Sequence, residues 1–336
     1  MASKIYKVLF FILGLGTLGY MVYSLGPAEI WASLLNTGWW FIPILLSWLV
    51  IYLMNAFAFQ AVIGRKEARK AKLSFWKIFQ LTVTGYSINY ITPFVGLGGE
   101  PYRIMELNPY VGGAKAGSSV FLYSVMHILS HLVFWVLSIG LIIAFVTISK
   151  AVLIACLLIL AMSAVLFYWF SRVYQKGLSR SVFAFFGKLP WVGKRIQKFA
   201  EEKHDLFADI DVQIKDLFTN RKANFYSALA WEFFARVLGC LEIYIIAWTL
   251  GVEMTYIEAL IVSSGSSLFA NLMFFFPLQL GTREGGMAMA MVSVGYAANL
   301  GIFIGVATRI RELIWIAIGL LFMLFKKKNT QVEDVN

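Results

Sequence analysis

The chain has 336 residues, of which 60% are hydrophobic, 16% aromatic and only 14% charged. Those proportions exclude an ordinary soluble domain and define an all-α polytopic membrane protein, for which the bilayer is the solvent. The net charge of +11 is carried by short basic clusters beside apolar spans; membrane topology and anionic headgroups account for that pattern, and nucleic acid is not an expected partner.

Lys4 and Lys7 precede an apolar run from Val8 to Leu25. The run is too long for a signal-peptide core and reads as a retained first helix with a cytoplasmic N-terminus. A second span is expected from Trp39 to Ile63. "RKEARKAK", Arg65 to Lys72, then places five basic residues against one acid and marks a cytoplasmic loop. The segment from Phe75 to Thr92 is short, carries Asn89 and ends in "ITPFVGLGGEPYRIMEL". A full crossing there would put the later basic loops on the wrong side, so the segment is expected to be re-entrant and to return to the cytoplasmic face.

Spans from Gly117 to Ile148 and from Ala151 to Phe170 follow. Arg172 to Lys222 is then a cytoplasmic loop with eleven basic and six acidic residues. Within it "RVYQKGLSRSVFAFFGKLPWVGKRIQKF" mixes apolar and basic residues at helical spacing, which suits either an interfacial amphipathic helix or a solvated helical linker. Asn224 to Leu250 leads outward, and "FKKKN", Phe325 to Asn329, is a cytoplasmic stop. Only one full crossing fits between them. Asn299 to Phe325 supplies it, so Ala259 to about Ala298 is expected to be re-entrant from the outer face. The two cysteines, Cys156 and Cys240, both lie within apolar spans and form no disulfide framework. Trp39, Trp40 and Trp231 read as interfacial anchors.

The two re-entrant segments share a pattern. Each ends in proline, Pro93 or Pro277, with a glutamate seven residues later, Glu100 or Glu284, glycines between and an arginine nearby, Arg103 or Arg283. Each also carries an asparagine, Asn89 or Asn271. Entry from opposite faces makes them an inverted repeat whose broken helices meet near the bilayer midplane. One transmembrane domain, 1–336, is thus expected to hold a first re-entrant unit over 75–148, the amphipathic loop over 172–222 and a second unit over 257–325. About six full transmembrane helices and two re-entrant hairpins complete the count.

Glycines such as Gly98, Gly99 and Gly281 free backbone N–H groups to face a ligand. A helix starting at "GGEP", with Pro101 in its first turn, points its positive end at the cavity. Arg103 and Arg283 add donor forks that suit phosphate, and Thr282 is a plausible N-cap of the second helix. These features favour an anionic headgroup. The glutamates either pair the arginines, locking the repeats together, or meet a cationic part of the ligand.

Further candidates lie inside the spans. His127 and His131, four apart, share a face that could be half a metal site, but no third ligand has suitable local spacing; polar cavity lining is the expectation, with no metal and no cofactor. Arg309, Arg311 and Glu312 fall near mid-membrane in the last span, with Arg309 and Glu312 on nearly one face, and could hold a phosphate or counter-charge. Glu232 and Arg236 read as an internal ion pair. Glu242 needs a partner across the bundle and is a candidate proton carrier if transport is proton-coupled.

"PFVGLGGEPYR" and "PLQLGTREGG", with the hydrophobic pattern around them, resemble the two signatures of the flippase-like family related to the membrane region of bacterial lysylphosphatidylglycerol synthases. The similarity spans about residues 5 to 325. It implies movement of lipids between leaflets, a multi-pass bacterial cytoplasmic membrane location, and a lipid-handling role for Pro93, Gly98, Gly99, Glu100, Pro101 and Arg103 and for Pro277, Gly281, Arg283, Glu284 and Gly285. "PLQLG" departs from relatives that show a further glycine pair. The synthases carry a soluble aminoacyltransferase domain after the membrane part, whereas this chain stops at Asn336, so aminoacyl transfer is not expected. The leading expectation is a non-enzymatic translocator of an anionic or aminoacylated phospholipid or a lipid-linked glycan. An integral-membrane enzyme or accessory subunit on lipid-linked substrates and a small-solute transporter are the alternatives. The expected partners are membrane lipids and anionic headgroups, with a second copy of the chain and a separate lipid-modifying enzyme as further candidates.

Overall fold

The computed structural model describes residues 26–92, 98–146, 150–176, 204–272 and 281–324, with isolated positions outside these stretches. The expected first helix from Val8 to Leu25, the two proline loops with Pro93 and Pro277, most of the amphipathic run 172–199 and the basic "FKKKN" stop lie outside the described residues.

Every regular element among the described residues is helical. Helix α1, Pro27–Thr37, leads through one 3₁₀ turn at Gly38–Trp40 into α2, Phe41–Ile63. The basic loop holds a short α3, Arg65–Lys70. Next come α4, Phe75–Ile91, α5, Gly99–Val111, and the long α6, Gly113–Phe145. Helix α7, Lys150–Lys176, runs six residues beyond its expected end. Then follow α8, His204–Thr219, α9, Lys222–Thr249, α10, Tyr256–Leu272, α11, Thr282–Ser293, and α12, Ala298–Leu324. Among the described residues, Gly38–Ile63 and Gly113–Phe145 are long and apolar enough to cross a membrane. Helices α9 and α12 carry several charges at mid-length.

Local chemistry sets several helix ends. Ser74 opens α4 by accepting the Lys77 amide at 3.2 Å. At the other end Thr92 is extended, as a residue before proline must be, and its hydroxyl turns back to the Ile88 carbonyl at 2.6 Å. Helix α10 starts with a reciprocal capping box: Glu258 accepts the Thr255 amide at 2.7 Å, and the Thr255 hydroxyl accepts the Glu258 amide at 3.2 Å.

Helices α2 and α9 pack along one another and form the spine of the bundle. In lipid, side-chain packing and interhelical hydrogen bonds hold such a bundle together, because the tails are as apolar as leucine. Helix α4 lies on α12, with Thr84 donating to the Gly319 carbonyl and Ser87 to the Trp315 carbonyl, each at 3.2 Å. Helix α10 lies on α6, where the Trp135 indole donates to Ser267 at 3.3 Å. Thus the first helix of each break-bearing unit packs against the long last helix of the other. The first two helices of the units also match in length, 17 and 13 residues in the first and 17 and 12 in the second, while the last helices have 33 and 27.

The corner between α8 and α9 is tied to the end of α2. Arg221 Nε donates to Asp216 at 2.7 Å and Nη1 to the Val62 carbonyl at 3.3 Å, while Asn224 donates to the Ala61 carbonyl at 2.9 Å. A hydrogen bond from Asn220, helped by Arg221, holds the Asp216 carboxyl below the usual carboxylate range. Of the expected anchors, Trp39 is exposed, Trp40 packs edge-on to Trp248 and Trp231 stacks on Phe57.

Candidate functional site

The first break is closed by an asparagine. Asn89, near the end of α4, accepts the Gly99 amide at 2.7 Å through Oδ1 and donates to Glu100 Oε1 at 3.2 Å through Nδ2. One side chain thereby satisfies an orphan donor of α5 and holds the carboxylate beside it. The crossing is tight because Gly99 sits on the backbone of α4: a Cβ there would land on the Gly85 carbonyl. A Cβ on Gly85 would in turn fall on the Arg103 guanidinium.

Arg103 fills the space under that crossing. Its guanidinium lies 5.0 Å from the Tyr86 ring centroid and 5.2 Å from that of Tyr123. It donates to the Leu81 and Thr82 carbonyls at 3.4 and 3.3 Å, and to Glu100 Oε1 at 3.4 Å. The side chain is only 2% exposed. The expected pair of Glu100 with Arg103 therefore forms, inside an aromatic sandwich.

The second break is wired differently. Gly281 precedes α11 with φ +77, a conformation that favours glycine, and Thr282 is the first helical residue rather than the N-cap. Arg283 and Glu284 do not pair with each other. Arg283 donates to Glu312 Oε2 at 2.7 Å, and its guanidinium lies 5.9 Å from the Tyr90 ring of the first unit. Glu284 instead accepts Arg309 Nε at 2.8 Å, and Arg309 also reaches Glu312 at 3.3 Å. Glu312 thus collects two arginines from two helices. Among the described residues Asn271 donates to the Ser267 carbonyl of its own helix at 2.7 Å, whereas Asn89 reaches α5.

A third group of charges joins α2, α9 and α12. Arg311 grips Glu242 through two bonds of 2.9 and 2.8 Å, the fork geometry that makes such pairs strong. Trp48 donates to the same carboxylate at 2.9 Å, and its ring lies 3.5 Å from the Arg311 guanidinium. Glu242 thus finds its partner across the bundle. Glu232 and Arg236 approach only to 3.8 Å, and the shorter contact of Glu232 is to His127 Nδ1 at 2.8 Å. His131 lies 3.5 Å from Ser267, with its ring edge-on to His127.

These groups surround a cavity of about 570 Å³. Asn89, Glu100, Arg103, His127, His131, Asn271, Arg283, Arg309 and Arg311 all line it. Glu284 and Glu312 stand behind it as partners of lining arginines. Gly98, Gly99 and Gly281 shape the two helix starts, and Pro93 and Pro277 lie outside the described residues. Five arginines, Arg103, Arg236, Arg283, Arg309 and Arg311, face it against three glutamates, Glu100, Glu232 and Glu242, and Glu284 and Glu312 behind the wall balance the remaining two. Among the described residues no group of three or more potential ligands stands close enough to hold a metal. Tyr86, Tyr123, Asn55 and Trp48 also line the cavity. Sequence reasoning passed over them; Asn55, one amide in an apolar span, carried the clearest signal.

A helical bundle with a charge-lined cavity, built on two apolar helices long enough to cross a bilayer, belongs to the class of integral membrane proteins that handle polar groups inside the membrane. The family model described as the lysylphosphatidylglycerol synthase TM region matches residues 5–319, and the chain belongs to that family. It is thus a membrane domain of a family associated with lipid handling. No curated protein and no solved structure matches the chain.

Proposed function

We propose that the protein is a lipid translocator, moving an anionic or aminoacylated phospholipid or a lipid-linked glycan between leaflets without a covalent step. The observation that carries this reading is the cavity of about 570 Å³, which takes arginines from both broken units. That volume suits a headgroup, and guanidinium forks suit phosphate oxygens. Arg283, with 21% of its side chain exposed, is the best-placed headgroup contact, whereas Arg103 shapes the wall. The matched helix lengths and the reciprocal packing of α4 on α12 and α10 on α6 favour two units, 75–148 and 257–325, in an inverted repeat. With about six full crossings and two re-entrant hairpins, the basic loops then fall on the cytoplasmic side of a bacterial inner membrane, together with both termini and the loop 172–222.

The test is translocation of headgroup-labelled lipids in proteoliposomes, comparing anionic, zwitterionic and polyprenyl phosphate lipids in the native protein and in Arg283→Ala. Movement of one class, lost in the variant while the protein stays folded, establishes the reading. A folded protein that moves no labelled lipid faster than empty vesicles overturns it, and leaves an enzyme on lipid-linked substrates or a small-solute transporter to be tested.

A further inference from the structure

We propose that His127 and Glu232 form a proton-binding site that couples lipid movement to a proton gradient. The coupling half rests on the translocator reading above, while the proton site rests on its own geometry.

Five glutamates meet the charge network, and four are held by arginine at close range. Glu242 has Arg311 at 2.8 Å, Glu284 has Arg309 at 2.8 Å, Glu312 has Arg283 at 2.7 Å and Glu100 has Arg103 at 3.4 Å. Adding a proton to Glu242, Glu312 or Glu100 would take from Arg311, Arg283 or Arg103 its close acidic partner, which is costly, and Glu284 shares Arg309 with Glu312 in one linked cluster. Glu232 differs in its partner. Its nearest guanidinium, Arg236, is 3.8 Å away and donates instead to Ser130 Oγ at 2.7 Å and the His127 carbonyl at 3.0 Å. The close partner is an imidazole, which can itself lose or gain a proton near neutral pH.

Two further features fit proton exchange. Glu232 is 1% exposed and its Oε1 has no hydrogen-bond partner, so one oxygen of the buried carboxylate is open to a proton. Glu100, Glu284 and Glu312 also leave one oxygen unpartnered, but each has its arginine. The His127 side chain, in contrast, is 32% exposed and lines the cavity, so it connects cavity water to the buried carboxylate.

The hydrogen bonds around Nδ1 define two states. Nδ1 lies 2.8 Å from Glu232 Oε2 and 3.0 Å from the Tyr86 hydroxyl, which is itself 2.9 Å from the Tyr123 hydroxyl. While Nδ1 holds a proton it donates to Glu232, and Tyr86 must direct its own proton to Tyr123. In the loading step the imidazole takes a proton from cavity water at Nε2 and passes its Nδ1 proton to Glu232. The pair gains one proton and water loses one. Nδ1 then carries a lone pair in place of a proton, and the Tyr86 hydroxyl, whose ring forms one wall of the Arg103 sandwich, competes with the new carboxyl proton to donate to it. Protonation and the headgroup cavity therefore share Tyr86. The titratable and charged groups facing the pair are Tyr86 from α4, Arg103 from α5, Tyr123 and His131 from α6 and Arg236 from α9. Tyr52 of α2 stands behind Tyr86, with ring centroids 5.7 Å apart.

Infrared difference spectra of the full chain in membranes, taken between about pH 8 and about pH 5, test the site alone. The stretch of a newly protonated carboxyl is expected in the native protein and lost in Glu232→Gln; spectra that are the same in both overturn the site. Proteoliposomes with a trapped pH dye and headgroup-labelled phosphatidylglycerol test the coupling. With one proton moved per lipid, the leaflet ratio of labelled lipid is expected to shift by about tenfold per pH unit imposed, accompanied by proton entry. Neither is expected in Glu232→Gln. Native translocation that ignores the gradient overturns the coupling. Complete absence of lipid movement removes the translocator reading and the coupling with it, while the infrared band still decides the proton site. Should Glu232→Gln fail to fold, Glu232→Asp takes its place, since it keeps a carboxyl but draws it back from Nδ1 by a methylene; the band is expected to move in frequency, and an unmoved band overturns the site.

Discussion

The two breaks use the same residue types to different ends. In the first, Arg103 and Glu100 sit three apart on one helix, and the arginine is shut between two tyrosines with 2% of its side chain exposed. In the second, Arg283 and Glu284 are adjacent, so they leave the helix in different directions and find partners on α12. The first break thus stabilises itself, whereas the second binds two helices together and leaves its arginine 21% exposed to the cavity. Similar motifs do not imply similar roles: spacing along the helix decides whether a charge pair closes locally or reaches across the bundle.

The largest effect that would break this comparison is expected at Glu312, which joins Arg283 and Arg309. Glu312→Gln leaves Arg283 with no close acidic partner and should cost about 3–5 kcal/mol of stability, read as a lowered unfolding midpoint in detergent. If the midpoint does not move, the second break does not bind the helices as described.

The arginines separate structure from transport. Arg283→Ala leaves Glu312 paired with Arg309, so the fold should survive while translocation falls by about tenfold to a hundredfold, the equivalent of one charge-assisted hydrogen bond of about 1.5–3 kcal/mol. Arg103→Ala removes the centre of the aromatic sandwich and should lower the unfolding midpoint before any transport is measured. Equal midpoints for the two variants would erase the distinction.

The glycines sharpen the contrast. Gly99→Ala pushes a Cβ against the Gly85 carbonyl and should cost about 1–3 kcal/mol, since two backbones must separate. At Gly281 nothing among the described residues lies within 4 Å of the added carbon, so the expected cost is that of the positive φ, about 1–2 kcal/mol for alanine and less for asparagine. Thermal unfolding of Gly281→Ala beside Gly281→Asn checks this reading; equal losses would point to crowding rather than backbone conformation.

The smallest effects are expected at the two asparagines. Asn89→Ala leaves the start of α5 without its acceptor and should destabilise by about 1–2 kcal/mol. Among the described residues Asn271→Ala removes only a bond to its own helix, and it should stay within about 0.5 kcal/mol. Unfolding midpoints that rank the other way would mean that Asn271 closes the second break after all.

Much of this fold was legible in one dimension. The expected segment from Phe75 to Thr92 matches α4 nearly residue for residue, because Ser74, Thr92 and Pro93 are local punctuation that acts whatever the bundle does. The spans of α2, α9 and α12 were readable for a similar reason: a helix in lipid must satisfy its own backbone, and apolar length marks it. The capping box of Thr255 and Glu258 was also present in the sequence and went unread. Nearly all the charged residues of the cavity could be named in advance, since an ionisable residue within an apolar run is costly enough to stand out.

Pairing was beyond the sequence except where partners were three or four apart. Glu100 with Arg103 could be read, but Glu284 with Arg309, Arg283 with Glu312 and Glu242 with Arg311 join residues 25 to 69 positions apart. Tyr86 and Tyr123 look like ordinary span residues until α4 and α6 place their hydroxyls 2.9 Å apart beside an imidazole. Composition and spacing determined a helical membrane protein and the residue types that line its cavity, because those follow from the local cost of charge and backbone in lipid. Helix packing alone decided which carboxylate meets an arginine and which meets a histidine, because that depends on distances between helices, which one-dimensional spacing does not carry.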